Sequence, residues 1–151
     1  MSISLAREAL AGAITSATPS AMLRGRFERV GERGDAPFEK LAPAKLRAFV
    51  FRTAGWPEDS GLAAARISQW QAVWEIWTAY PCHPTDDRER LHTAIAEDLQ
   101  IQAQAVIPPT VWLPHLEVCA PGAPRVEEVI GAHGFAVALL GVLALNVLYR
   151  S

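Results

Sequence analysis

Residues 67–80 read ISQWQAVWEIWTAY, and this stretch decides the fold. Its residues alternate with a period of two. Trp70, Ala72, Trp74, Ile76, Thr78 and Tyr80 fall on one side; Gln71, Val73, Glu75, Trp77 and Ala79 fall on the other. Successive side chains of an extended chain point to opposite faces, and aromatic and β-branched residues suit that pleated surface. The segment is predicted to be a strand that spans the whole sheet. Trp74 and Trp77 have opposite parity, so both faces of the sheet are expected to be at least partly covered. One face would lie under helices. The other would meet a partner, since aromatics are enriched in interface cores; a tryptophan-rich core with one partly exposed ring accounts for the same pattern.

Downstream, Pro81 and Pro84 end the strand. The segment DDRERLHTAIAEDL that follows reads as a helix. Asp86 and Glu89 have capping-box spacing, and an acidic first turn suits the helix dipole. Leu91, Ile95 and Leu99 form an i, i+4, i+8 stripe, with Ala94 beside it and Ala103 one turn on. Pro108 and Pro109 require the helix to stop before them. Residues 111–118, broken by Pro114, read as an edge strand or extended loop. Residues 126–130 read as a short strand, 131–134 as a turn and 135–149 as a final long strand.

The run FAVALLGVLAL at 135–145 is unbroken in apolar character. A membrane helix needs about 20 predominantly apolar residues. This run is shorter and contains Gly141, so a strand buried on both faces is the expectation, with a tail anchor as the alternative.

Upstream, residues 47–53 (RAFVFRT) read as a strand with Phe49 and Phe51 on one face, and 55–61 (GWPEDSG) as a loop. Residues 22–30 (MLRGRFERV) read as the first strand, and 31–43 (GERGDAPFEKLAP) as an exposed loop. Residues 3–16 form an amphipathic helix, with Ile3, Ala6, Leu10, Ala13 and Ile14 on one side. The first three strands are joined by loops, which favours an antiparallel meander. Both helices then pack on one face. The predicted class is α+β: a two-layer sandwich, a mainly antiparallel sheet with two helices on one face, built as one domain over residues 1–151.

Length and composition agree. A chain of 151 residues suits one domain that buries roughly 70% of its unfolded surface. Net charge is −2 and the sequence pI about 6.1, which does not suggest a basic nucleic-acid surface. Arg7 and Glu8 interrupt any leader-like apolar core, and two cysteines make no disulfide framework. A reducing, cytoplasmic setting is the default expectation.

The chemistry-bearing residues do not converge on a site. Cys82-His83 and His115-x-x-x-Cys119 offer zinc ligand types, but adjacent residues in extended chain point opposite ways. A Cys–His nucleophile would pair Cys82 or Cys119 with His83, His92, His115 or His133, and needs a positioned base and an electropositive setting. Asp86, Asp87, Glu89, Glu97 and Asp98 read as a solvated helical face. Glu127-Glu128 is ordinary for a strand end. Glu75 is the clearest polar group within a strand, with no evident partner. No phosphate loop, dinucleotide glycine pattern, HExxH or GxSxG occurs. No catalytic residue, cofactor or metal is predicted, and the chain is not expected to be an enzyme.

Four features together resemble phage tail terminators, the minor tail proteins that cap the tail tube. They are the N-terminal helix (SLAREALAGAI), the aromatic strand ending WEIWTAYP, the acidic-start helix and the apolar closing strand ending at Val147-Leu148-Tyr149-Arg150. They cover most of the chain as patterns rather than as a diagnostic motif. The resemblance implies an α+β sandwich whose subunits form a hexameric ring on the last tube ring. That ring would stop tube polymerisation and offer a surface to neck or head-completion proteins. Expected partners are the chain itself, the tail tube protein, a neck protein and a sheath protein, with no sequence-specific nucleic acid and no membrane. The expected location is the head-proximal end of the virion tail, and the host cytoplasm during assembly. Residues 61–66 (GLAAAR) and 108–124 depart from the pattern and are candidate loops for sheath or neck contacts. Candidate ring or partner contacts are Arg29, Glu32, Arg33 and Asp35 in and beside the first loop, with Trp56 and Asp59 in the second. The alternatives are a head-closure or head–tail joining protein, a small ligand-binding module and a membrane-anchored accessory protein.

Overall fold

The computed structural model describes residues 3–31, 37–55, 69–106, 116–119 and 123–150. In chain order the elements are α1 (Ile3–Ser16), β1 (Glu28–Arg29), α2 (Phe38–Leu41) with a 3-10 turn at Ala42–Ala44, β2 (Ala48–Gly55), β3 (Gln69–Pro81), α3 (Arg88–Val106), β4 (Leu116–Cys119), β5 (Arg125–Ile130) and β6 (Ala136–Arg150). The fold is α+β.

β3 and β6 are the axis of the sheet. They pair antiparallel from Gln69 opposite Arg150 to Pro81 opposite Ala138. The strand order is β1-β2-β3-β6-β4, and β5 shares the β6 edge with β4. Residues 136–145 of the apolar run lie in β6, whose two faces are covered by α1 and α3 on one side and by the Phe38 segment on the other, so the strand is continuously apolar; Phe135 precedes it and is exposed. Among the described residues no helix is long and apolar enough to cross a membrane.

α1 and α3 cover one face of the sheet. Ala6, Leu10, Ala11 and Ile14 of α1 and Leu91, Ile95 and Leu99 of α3 pack on Phe49, Trp74, Ile76, Leu139, Leu143 and Leu145. Burying one such large side chain fully contributes about 1.5–3 kcal/mol. Gly141 lets α3 approach: a Cβ there would sit 3.1 Å from Ile95 Cγ2 and 3.4 Å from Leu99 Cδ2. On the opposite face, Phe38 and Ala42 pack on Ala48, Val50, Ala79, Ala138 and Leu140.

Several expectations change. The strand expected at 22–30 shrinks to Glu28–Arg29, because the carbonyls of Ser20, Leu23, Arg24 and Gly25 turn toward the buried Arg47 and Gly25 has φ +106. β1 pairs parallel with β2, so the first three strands are not an antiparallel meander. Within the span expected to be an exposed loop, residues 37–43 hold α2 and the start of the 3-10 turn, with Phe38 and Ala42 buried; residues 32–36 lie outside the described set. Arg47 precedes β2 instead of opening it and has φ +58. The helix cap is one residue later than expected. Asp87 Oδ1 accepts from Arg90 N at 3.1 Å, while Asp86 Oδ2 accepts from His83 N at 2.7 Å.

Candidate functional site

The most fully connected polar cluster lies under α3. Arg47 and Asp98 both have fully buried side chains and pair at 2.7 Å, Nε to Oδ2. Arg47 Nη2 also donates to Asp98 Oδ1 at 3.3 Å and to the Ser20 carbonyl at 2.7 Å. Its Nη1 donates to the carbonyls of Leu23 (2.9 Å), Arg24 (3.2 Å) and Gly25 (3.2 Å). Asp98 further accepts from Tyr80 Oη and from Ser20 N, each at 2.8 Å. One turn along α3, Gln102 Nε2 donates to Thr78 Oγ1 at 2.8 Å.

These bonds tie the α1–β1 connector, the turn before β2, the end of β3 and the middle of α3 into one knot. Burial, and then the Asp98 charge, push the Tyr80 hydroxyl well above its ordinary pKa. The two opposite charges of the knot, Arg47 and Asp98, are paired with each other and fully buried. The solvated helix face expected for Asp98 is corrected: the residue is fully buried. Its position carried the signal. Asp98 lies three residues after Ile95 and seven after Leu91, on the buried stripe, and Gln102 lies three after Leu99.

The second face of the sheet carries a related cluster near the surface. The Arg52 guanidinium lies 4.4 Å from the centroid of the half-buried Trp77 ring, and that of Arg125 lies 5.7 Å from it. Arg52 pairs with Glu39 at 2.7 Å; Arg125 pairs with Glu75 at 2.7 Å and Glu127 at 2.8 Å. Trp77 Nε1 donates to Glu75 Oε1 at 3.3 Å. Glu75 thus has partners that strand spacing alone did not reveal. Hydrogen bonds to Glu75 and Glu127 raise the Arg125 pKa above its ordinary value. The patch continues along the same face through Val73, Ala144, Asn146 and Leu148, all half-buried.

At the Pro81 end of the sheet, a cleft of about 340 Å³ is lined by Cys82, His83, His133 and Phe135, among others. Cys82 is buried with its sulfur 3.5 Å from the Ala136 carbonyl oxygen. Burial raises its thiol pKa, which disfavours the thiolate a nucleophile needs. His115 lies outside the described residues. Among the described residues no three His, Cys, Asp or Glu side chains are placed to hold a metal ion.

Of the predicted contact residues, Arg29 is described. It sits on β1, pairs with Glu8 of α1 and lies 5.7 Å from the Phe51 ring centroid. Glu32, Arg33, Asp35, Trp56 and Asp59 lie outside the described residues. Sequence reading picked out Trp77 through its parity, but not Arg52 and Arg125, which reach it from β2, the next strand, and from β5, two strands away. A scan against protein-family models finds no match for this chain, and a search of curated proteins finds none either.

Proposed function

We propose that this chain is a structural assembly subunit of a phage-type tail, a terminator that forms a ring on the end of the tail tube. The observation that carries the reading is the Trp77 patch. A half-buried tryptophan sits between two arginines on a sheet face that α2 covers at one end. Tryptophan and arginine are the residues most enriched at interface hot spots, and carboxylates beside them fix register. The α+β sandwich with two helices on one face also agrees with the resemblance drawn from the sequence. In this reading capping works by interface competition. The subunit occupies the contact the next tube ring would use and presents a surface that does not propagate. Its outer surface then receives the neck.

Electron microscopy of lysates from a phage or prophage lacking this gene tests the reading. Headless tails of uncontrolled length are expected. Tails of normal length beside unattached heads would move the protein to the neck, and normal infectious particles would overturn the assembly reading.

A further inference from the structure

A second arginine pair, on the helix-covered side near the β1 edge, has one ion-pair partner between its two cations among the described residues. Arg7 of α1 lies 5.4 Å from the Trp74 ring centroid, and its Nε is buried without a hydrogen-bond partner among the described residues. Trp74 Nε1 is likewise buried and without an acceptor. Trp74 meets Phe51 edge-on at 6.2 Å, and the Arg29 guanidinium lies 5.7 Å from the Phe51 ring centroid. Arg7 and Arg29 both line one cleft of about 330 Å³, with Val30, Gly31, Val50 and Phe51 beside them. Glu8 pairs with Arg29, and no carboxylate among the described residues forms an ion pair with Arg7. Two guanidinium groups held on an aromatic pair, with one carboxylate paired to Arg29, leave one net positive charge. Buried donors without acceptors are costly, and a guanidinium answers an oxyanion with directed hydrogen bonds.

We propose that this cleft binds a single anionic oxygen group, a carboxylate or a phosphate, through Arg7 and Arg29. The site is independent of the tail-assembly reading. The group comes either from a free anion or from an acidic side chain of a second copy of the chain.

Thermal unfolding and tryptophan fluorescence of the full chain, titrated with inorganic phosphate and with acetate at constant ionic strength, test the proposal. A saturable rise in melting temperature is expected in the wild type. Arg7→Gln should weaken binding roughly tenfold or more, the loss expected for a charge-assisted contact. Arg88→Gln, at the start of α3 and paired there with Glu128 of β5, should leave it unchanged. Glu8→Gln alters an exposed side chain and provides a second route if Arg7→Gln fails to fold: freeing Arg29 should tighten binding. Sedimentation velocity separates the two sources. Association that added phosphate reverses assigns the group to a second copy, and a monomer that binds phosphate assigns it to a free anion. Neither binding nor association in the wild type, equal affinity in Arg7→Gln, or no gain in Glu8→Gln would overturn the proposal.

Discussion

The two faces of the sheet hold clusters made of the same parts: an arginine, a carboxylate and an aromatic ring from β3. Beneath α3, Arg47, Asp98 and Tyr80 are fully buried. On the other face, Arg125 is 46% exposed and its partner Glu75 16%. Depth changes what these parts do. In the buried cluster the desolvation cost is large and is offset by a complete set of hydrogen bonds, so any gap in the set is punished. In the outer cluster the charged groups keep part of their surface exposed. Their pairing adds little to folding and leaves the tryptophan available to a partner. The first cluster specifies the fold; the second suits recognition.

Removing one member of each cluster should separate them most. Asp98→Ala leaves the Arg47 guanidinium buried without its counter-charge and should cost about 3–5 kcal/mol. Urea denaturation of the purified variant measures this, and failure to fold at 37 °C would agree with a loss of that size. A loss below about 1 kcal/mol would mean that water reaches Arg47 and that the contrast between the faces is wrong.

Tyr80→Phe is a milder probe of the same knot. It removes one of the donors to Asp98 and should cost about 1–3 kcal/mol near neutral pH. The pH dependence has a definite sign. The folded-state pKa of Tyr80 is raised above 10.0, so the stabilisation is fully present below that value. As pH rises above it, the unfolded chain loses the proton while the folded one keeps it. Wild-type stability then falls by up to about 1.4 kcal/mol per pH unit from this group. The variant lacks that loss, so the gap between the two should narrow above pH 10. Cys82, raised from 9.0, contributes in the same direction to both proteins and leaves their difference unaffected. A gap constant with pH would mean that Tyr80 ionises equally in both states.

How legible these clusters were follows from which physical signals are local. The alternation in β3 is a local property, so it placed Trp74 and Trp77 on opposite faces correctly. The Leu91, Ile95, Leu99 stripe likewise gave the buried side of α3. Asp98 was misread because residue type was weighed above position on that stripe. Arg47 had no local signal: a left-handed arginine is held by distant partners, including carbonyls more than 20 residues away. The parallel pairing of β1 depends on how the segment around Phe38 crosses the second face, and a lone phenylalanine among Gly and Pro gave too little pattern to show it. The cap shifted from Asp86 to Asp87 because both neighbours are competent. Of the six predicted contact residues, Arg29 alone falls among those described, and it faces α1 rather than the Trp77 patch.

The smallest expected stability change belongs to the outer cluster. Arg125→Gln removes a half-exposed pair and should alter unfolding free energy by less than about 1 kcal/mol. That small difference should shrink further at high salt, where a Debye length of about 3 Å at 1 M screens surface charge. The same substitution strips one of the two cations from the Trp77 ring and the clamp from Glu75. If the patch meets a neighbouring subunit, the variant should fold like the wild type yet complement a gene deletion poorly, with tails as long as those of the deletion itself. Full complementation by Arg125→Gln, and by Trp77→Ala beside it, would detach this face from assembly. Equal damage to folding and assembly would show instead that the outer cluster acts as the inner one does.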